Sequence, residues 1–193
     1  MLPIETEEKL DPRVKRTRDL LEKAFLEVLN EKGFHAITVQ DITERAGVNR
    51  ATFYAHFADK FALLDYSIRS WFLQEIDKRM LNACHFSMDN LRSLIIALCE
   101  FIKHTNSHCK PAQNQFETLV EAQVKSVLYD LLLKWLDQVK IDVEPETAAT
   151  AASWAIFGLA SQWAHTKQPK PAEEFADDVL PIAAANLRLA ETA

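Results

Sequence analysis

The chain has 193 residues and a formal net charge of −6 at pH 7; 48% of its residues are hydrophobic and 26% charged, as in ordinary globular proteins. Its three glycines argue against a strand-rich fold, because strands need glycine at many turns and bulges. No apolar run approaches the ~18 residues of a membrane-spanning helix, and the acidic residues 1–11 lack the basic and apolar segments of a secretion signal, so we expect no membrane contact.

Charge is distributed unevenly along the chain. Residues 12–60 carry nine Lys and Arg against seven Asp and Glu, whereas residues 61–193 carry twelve against seventeen. Because phosphates respond to local rather than total charge, this distribution is compatible with a small DNA-binding head on an acidic body. Residues 1–11 are expected to form a flexible acidic N-terminus.

The first predicted element is a helix from Arg13 to Lys32, in which apolar residues recur on one face. Asp11 is suited to cap its start and Pro12 to occupy its first turn. Gly33 is suited to end it.

Two short capped helices follow. Thr38 opens the first with the capping-box spacing to Asp41, where Asp replaces the usual Glu, and Gly47 ends it. Asn49 caps the second, which runs to Phe57. Two short helices about a glycine turn form a helix-turn-helix, and Gly47 is expected to have a positive φ.

The remaining chain is predicted to be helical throughout. Helical patterns cover Lys60–Arg79, Leu91–Lys103, Phe116–Trp135, the alanine-rich run from Pro145 to His165, and a last helix from Pro171. Pro181 is expected to kink or restart that last helix. The sequence thus predicts an all-α fold of about nine helices.

The stretch TVQDITERAGVNRATFYAHF, from Thr38 to Phe57, together with Asp59, Lys60 and Leu63-Leu64, closely resembles the DNA-binding domain of the tetracycline-repressor (TetR) family. The resemblance covers about Pro12 to Ile68 and is only architectural beyond residue 75. It implies a three-helix DNA-binding domain at 12–60, with the helix-turn-helix at about 38–57. It also implies a helical effector-binding and dimerisation domain at 61–193.

The resemblance further implies which residues contact DNA: Thr38, Gln40, Asn49, Arg50, Ala51, Thr52, Tyr54, His56 and Lys60. Asn49–Phe57 would be the recognition helix in the major groove, with Arg50 reading a base and Thr52 meeting a thymine methyl. Tyr54, His56 and Lys60 match positions that clamp phosphates, and Thr38 would offer its hydroxyl and helix N-terminus to another phosphate.

Each assignment has a structural alternative. Arg50 could be a solvated surface residue, and His56 could pack against the head without touching a phosphate. Tyr54 and Phe57 could be core aromatics, the interpretation we favour for Phe57. The basic residues of the first helix could track the DNA backbone or merely be solvated; these are Arg13, Lys15, Arg16 and Arg18.

A single recognition helix rarely supplies enough specificity, so we expect a homodimer on a palindrome. The dimer interface is predicted on the last two helices, at Trp154, Phe157, Gly158, Phe175, Val179 and Ile182. The run from Ala148 to Ala164 is apolar almost all round and must be covered on every side. The alternative is a buried central helix in a monomer.

An unidentified small-molecule effector is expected in a cavity among the helices. Candidate lining residues are aromatic: Phe72, Phe101, Phe116, Trp135 and Trp154. For any one of them, ordinary core packing is the interpretation that we favour.

Cysteine and histidine residues suggest, weakly, a metal or thiol site. Cys99, His104, His108 and Cys109 lie close in sequence, but the later ones sit in a loop-like stretch without a Cys-x-x-Cys frame. We expect neither a metal nor a cofactor. Three cysteines without framework spacing indicate a reducing, cytoplasmic compartment.

The predicted function is that of a transcription repressor that binds operator DNA and is released by its effector. The sequence holds no Gly-rich phosphate loop, His-Glu-x-x-His or Gly-x-Ser-x-Gly motif, so it is not expected to be an enzyme. The alternatives are an interaction protein that retains the fold, and an activator.

Overall fold

The computed structural model describes residues 11–79, 85–108 and 114–187, without the side chains of 107, 108 and 114–116. This part of the chain is all-helical, as predicted, and contains a 3-10 turn at Phe34–Ala36. Its eight α-helices, close to the expected nine, are α1 (Pro12–Lys32), α2 (Val39–Ala46), α3 (Arg50–His56), α4 (Lys60–Arg79), α5 (Met88–His108), α6 (Asn114–Leu136), α7 (Pro145–Ala164) and α8 (Ala172–Leu187). Within the described ranges, no helix is both long enough and apolar enough to cross a bilayer.

The predicted ends of α1 are confirmed. The Asp11 carboxylate accepts a hydrogen bond from the Arg13 amide at 2.8 Å, and Pro12 occupies the first position, where no intrahelical donor is needed. Gly33 ends the helix with φ 73°, and its amide donates to the Leu29 carbonyl at 2.9 Å. The apolar face of α1 is buried.

Two helices differ from their predicted course. α5 starts at Met88 rather than Leu91, because the Ser87 hydroxyl accepts from the Asn90 amide at 3.0 Å and so caps an earlier turn. α8 continues through Pro181 without the restart that proline can impose.

The chain divides into two compact units. Of the described residues, one unit holds 11–68, 106–108 and 114–120, and the other holds 69–105 and 121–187. One boundary between them lies inside α4, between Ile68 and Arg69. The division at residue 60 into a DNA-binding and an effector-binding domain stays a prediction.

The unit that contains α1–α3 has an aromatic core. Phe25, Phe34 and Phe53 are almost completely buried, and Phe25 meets Phe34 edge to face with ring centroids 6.3 Å apart. This core fixes α2 and α3 against α1.

In the other unit, α7 and α8 pack through small residues. The contact side of both helices carries buried alanines, which allow the helix backbones to come close: Ala148, Ala149, Ala152, Ala160, Ala172, Ala176 and Ala183. Trp163 stacks on Phe175 at 5.8 Å, and its indole N–H donates to the Lys170 carbonyl at 2.9 Å. Arg92 of α5 adds an ion pair to Asp177 of α8 at 2.6 Å.

Candidate nucleic-acid interface

The N-terminus of α2 is closed by the predicted capping box. The Asp41 amide donates to the Thr38 hydroxyl at 3.2 Å, and the Thr38 amide donates to the Asp41 carboxylate at 2.9 Å. Asp41 therefore replaces the usual Glu without loss of either hydrogen bond. Lys32 donates to the same carboxylate at 2.6 Å, and this hydrogen bond, with those from Thr38, lowers the pKa of Asp41 to about 2.

A second ionic contact holds α2 on α1. The Arg45 guanidinium binds both carboxylate oxygens of Glu31, at 2.9 and 2.8 Å, and one oxygen of Glu27 at 3.2 Å. The hydrogen bond from Arg45 lowers the pKa of Glu31 below its ordinary value. These contacts link residues 14 or more apart in the chain, so the sequence pattern did not reveal them.

The corner between α2 and α3 depends on Gly47. This residue has φ 68° and ψ 31°, in the left-handed region that favours glycine, as predicted. A Cβ there would meet no atom within 4 Å, so the requirement is conformational rather than steric. The next amide, of Val48, donates to the Thr43 carbonyl at 3.0 Å and closes the turn.

The seven-residue helix α3 has one buried side and one exposed side. Asn49 caps it as predicted, because its side-chain oxygen accepts from the Thr52 amide at 2.7 Å and from the Thr52 hydroxyl at 3.0 Å. Phe53 is fully buried. Arg50, Ala51 and Tyr54 are exposed, and half of the Tyr54 surface is accessible to solvent. The Arg50 guanidinium and the Tyr54 phenol therefore lie on the exposed side of a short helix that Phe53 anchors in the core.

Aromatic and basic groups meet at the end of α3. Phe57 is buried, which confirms its predicted core role. The Arg18 guanidinium lies 5.7 Å from the centroid of the Phe57 ring and 5.3 Å from that of Tyr66, so Arg18 is packed rather than merely solvated. His56 is half-buried beside them, and burial, with the nearby Arg18 charge, lowers its pKa.

Lys60, predicted to contact a phosphate, is engaged inside the domain. Its Nζ donates to the carbonyls of Phe34 at 3.0 Å, His35 at 3.3 Å and Ile37 at 2.9 Å. An ammonium has three donors, and all three are used. This arrangement differs from the outward-pointing ammonium that a phosphate contact requires.

The remaining predicted contact residues lie on α2 and its cap. Gln40 is exposed, and its amide nitrogen donates to the Glu44 carboxylate at 2.8 Å. The Thr38 hydroxyl donates to Asp41 at 2.8 Å, so its proton is already committed. The first-turn amides of Val39 and Gln40 are donors that helix geometry leaves without an intrahelical partner.

Most of the residues that were proposed to line an effector cavity lie in the core of the structure. Phe72 and Trp135 are fully buried, and Phe72 packs on Phe101 with ring centroids 5.1 Å apart. Trp154 is 62% exposed and therefore does not line an enclosed cavity in this chain, which corrects that assignment. The side chain of Phe116 lies outside the described residues.

The predicted dimer residues divide by exposure. Trp154, Gly158 and Ile182 are exposed, whereas Phe157 and Phe175 are half-buried. Val179 is 2% exposed, because it faces the chain's own core. The exposed residues contradict the alternative of a fully buried α7. A surface groove of about 740 Å³ lies beside them, lined by Val143, Thr147, Ala148, Ala151, Pro181, Ile182, Ala185 and Asn186.

Cys99 and His104 belong to no metal-ligand group among the described residues. Burial raises the pKa of the Cys99 thiol to about 12, which makes it a poor nucleophile. His104 is exposed on α5. Nowhere in the described ranges do three or more His, Cys, Asp or Glu side chains group as metal ligands would, while the His108 side chain and Cys109 lie outside those ranges.

The N-terminal region that contains this candidate interface also matches known proteins. Residues 21–66 match the family model described as bacterial regulatory proteins, tetR family. An uncharacterized HTH-type transcriptional regulator, YxbF of Bacillus subtilis, is 49% identical over 74 residues, which are 38% of this chain and 20% of the relative. The HTH-type transcriptional activator FasR of Mycolicibacterium smegmatis is 31% identical over 120 residues, covering 59% of this chain and 54% of the relative.

Among solved structures, Thermus thermophilus FadR, described as a TetR-family transcriptional repressor in complex with lauroyl-CoA, aligns with a TM-score of 0.55. The alignment has 18% identity and covers 91% of this chain and 97% of that one. This likeness establishes a shared fold. The two curated relatives are matched over only about a fifth and about half of their own length.

Proposed function

We propose that the chain is a transcription regulator of the TetR family that binds operator DNA through α3. The match of residues 21–66 to the family model of bacterial regulatory proteins supports this proposal. The observation that carries the proposal is the two-sided character of α3. Phe53 anchors one side in the core, while Arg50 and Tyr54 project from the other. Because B-DNA's major groove admits one α-helix, this side can reach base edges.

Arg50 is the proposed base-reading residue. It is the only long cation on α3, and a guanidinium can hold O6 and N7 of guanine with two hydrogen bonds. Such a pair discriminates by about 1–3 kcal/mol against a wrong base. Thr52 is half-buried and its hydroxyl is bound to Asn49, which leaves its methyl group as the part suited to a thymine.

Phosphate contacts are assigned to groups around α3 and α2. The exposed Tyr54 hydroxyl is suited to donate to one phosphate, and His56 to another. Since the Thr38 hydroxyl proton is held by Asp41, we assign the contact at α2 to the amides of its first turn. These contacts position the protein and carry no direct sequence information.

The proposed active form is a homodimer built on α7 and α8. Exposed apolar residues cluster there, and a two-fold axis would bring the same surface of each copy together. Two recognition helices about 34–36 Å apart then read a palindrome. Trp154, Gly158 and Ile182 are the residues we assign to this interface.

The effector is proposed to act by shifting the spacing of the recognition helices. A ligand that prefers a differently splayed dimer lowers operator affinity by its differential binding free energy and no more. Lauroyl-CoA, bound by Thermus FadR, is a reasonable first probe. Loss of operator binding on its addition would support effector release, and unchanged binding across an acyl-CoA series would exclude this ligand class.

The test of DNA binding is selection of bound duplexes from a random pool. A palindrome is expected, and absence of any preference over scrambled competitor at physiological salt would refute the proposal. Arg50→Ala is then expected to relax preference at one position of each half-site, whereas Tyr54→Phe weakens all duplexes equally. Arg79→Ala, at the end of α4, serves as the control for loss of one positive charge.

FasR, a relative described as an activator, supports a second mode of regulation. Repression and activation use the same protein–DNA contacts and differ in where the operator lies. Transcription in vitro from a promoter carrying the selected palindrome distinguishes them by the sign of the effect.

A further inference from the structure

Lys60 occupies an unusual position for a surface lysine. Its three carbonyl partners, on Phe34, His35 and Ile37, all belong to the short turn that leads into α2. The ammonium also lies 4.8 Å from the centroid of the Phe34 ring and 5.8 Å from that of Phe61, at distances typical of cation–π contacts.

The backbone of Lys60 is fixed as firmly as its side chain. Asp59 caps the start of α4, because its carboxylate accepts from the amides of Phe61 at 2.9 Å and Ala62 at 2.8 Å. The lysine stem therefore starts from a defined point, and burial of the ammonium lowers the pKa of Lys60.

The turn that Lys60 holds leads directly to the proposed phosphate-binding amides. Ile37 is followed by Thr38, the N-cap of α2, and then by Val39 and Gln40. From the other side, Asp41 is fixed by Lys32 and by the capping box. The segment between Phe34 and Asp41 is thus restrained at both ends by a lysine.

We infer that Lys60 is a positioning residue, which holds the Phe34–Ile37 turn so that the first-turn amides of α2 are preset for a phosphate, and that it does not bind the phosphate itself. The inference rests on the proposed DNA binding. A phosphate oxygen could reach this ammonium only by displacing a backbone carbonyl, which would then lose its charged donor.

Salt dependence of operator binding separates the two roles. Each phosphate contact contributes about 0.9 to the slope of log affinity against log salt. If each copy of a dimer used Lys60 on a phosphate, removal of the charge would lower the slope by about 1.8. A positioning role lowers affinity and leaves the slope unchanged.

The experiment compares Lys60→Met, Lys60→Arg and the control Lys23→Met, an exposed lysine on α1. Lys60→Met retains the aliphatic stem and is expected to weaken binding about ten- to a hundredfold with the wild-type slope. Lys60→Arg is expected to fail similarly, because a planar guanidinium cannot direct three donors from one atom at three carbonyls. A phosphate clamp would instead tolerate arginine.

Hydrogen exchange of the free protein provides a readout that does not require DNA. Both Lys60 variants are expected to speed exchange of the Ala36 and Ile37 amides, which donate to the Gly33 and Phe34 carbonyls within the turn, while the Phe53 amide in α3 retains its protection. If Lys60→Met does not fold, Lys60→Arg carries the test alone.

Three outcomes would overturn the inference: a slope reduced by about 1.8 in Lys60→Met, wild-type affinity in Lys60→Arg, or unchanged exchange at residues 36 and 37. If neither wild type nor variants prefer any duplex, DNA binding itself fails, and the exchange result still decides whether Lys60 holds the turn.

Discussion

The substitution Trp154→Ala tests the proposed dimer most directly. An aromatic side chain buries about 150–250 Å² when fully covered, and 62% exposure leaves roughly 100–150 Å² of Trp154 for a partner to cover. At about 25 cal/mol per Å² this corresponds to ~3 kcal/mol for one copy. A two-fold interface loses the residue twice, so the dimer is expected to weaken by up to ~6 kcal/mol, or about four orders of magnitude in Kd.

Sedimentation velocity over a dilution series from micromolar to nanomolar protein measures this change. Wild type is expected to remain dimeric over much of the range, and Trp154→Ala to sediment as a monomer. Met88→Ala is the matched control, because Met88 is 43% exposed and lies at the start of α5 rather than on α7 or α8. Within the chain, Trp154→Ala also removes the contact with the Lys125 ammonium, which lies 3.9 Å from the indole centroid.

Two results would refute this reasoning. A wild-type protein that is monomeric at micromolar concentration would exclude a stable dimer on any surface. A Trp154→Ala protein with the wild-type dissociation curve would place the interface elsewhere.

Four further predictions follow from local geometry. Gly158→Leu is expected to stabilise the isolated chain, because a Cβ there meets no atom within 4 Å and glycine costs about 0.8–1.0 kcal/mol in a helix relative to alanine. The same substitution is expected to weaken the dimer, which sedimentation velocity would measure. Asn49→Ala removes the cap of α3 and is expected to cost ~1 kcal/mol in urea unfolding and to reduce operator affinity, whereas Asn49→Ser retains both. Because the folded-state pKa of Asp41, about 2, lies below its ordinary 3.8, its contribution to stability is present above about pH 4 and is lost as pH falls toward 2. Asp41→Asn is expected to flatten this part of the stability profile in urea titrations. Phe72→Ala leaves a cavity against Phe101 and is expected to cost ~3–5 kcal/mol in urea unfolding.

Each of these predictions has a clear contrary result. An unchanged dimer in Gly158→Leu would remove that residue from the interface. Loss of affinity in Asn49→Ser without loss of stability would mean that Asn49 contacts DNA itself. Equal pH profiles for wild type and Asp41→Asn would show that the Lys32 pair is absent in solution, and a loss under ~1 kcal/mol at Phe72 would contradict tight packing.

Local signals predicted the elements of the unit that contains α1–α3 well, because these elements are specified by neighbours in sequence. The Thr38–Asp41 box, the positive φ of Gly47 and the Asn49 cap each involve residues at most three apart. These interactions need no knowledge of the rest of the fold. The predicted start of α5 is later than the observed one, because the apolar pattern does not indicate the cap at Ser87.

Side-chain contacts with partners that are distant in sequence cannot be read from local patterns. Lys60 matches a phosphate-clamping position in sequence, yet its partners lie 23–26 residues earlier in the chain. Val179 lies on the apolar stripe of α8. The residue pattern does not reveal which residues of that stripe pack inside the chain, as Val179 does, and which remain exposed, as Ile182 does.

By itself, the sequence determined the all-helical class, the helix-turn-helix and its caps, since propensity, capping and glycine conformation act over a few residues. Only the tertiary structure decided which charged and aromatic side chains make contacts inside the chain, such as Lys60 and Arg18, and which remain exposed, such as Tyr54 and Trp154. The physical reason is that hydrogen bonds to distant carbonyls and burial against another helix depend on how elements pack, and one helix's residue pattern does not encode that packing.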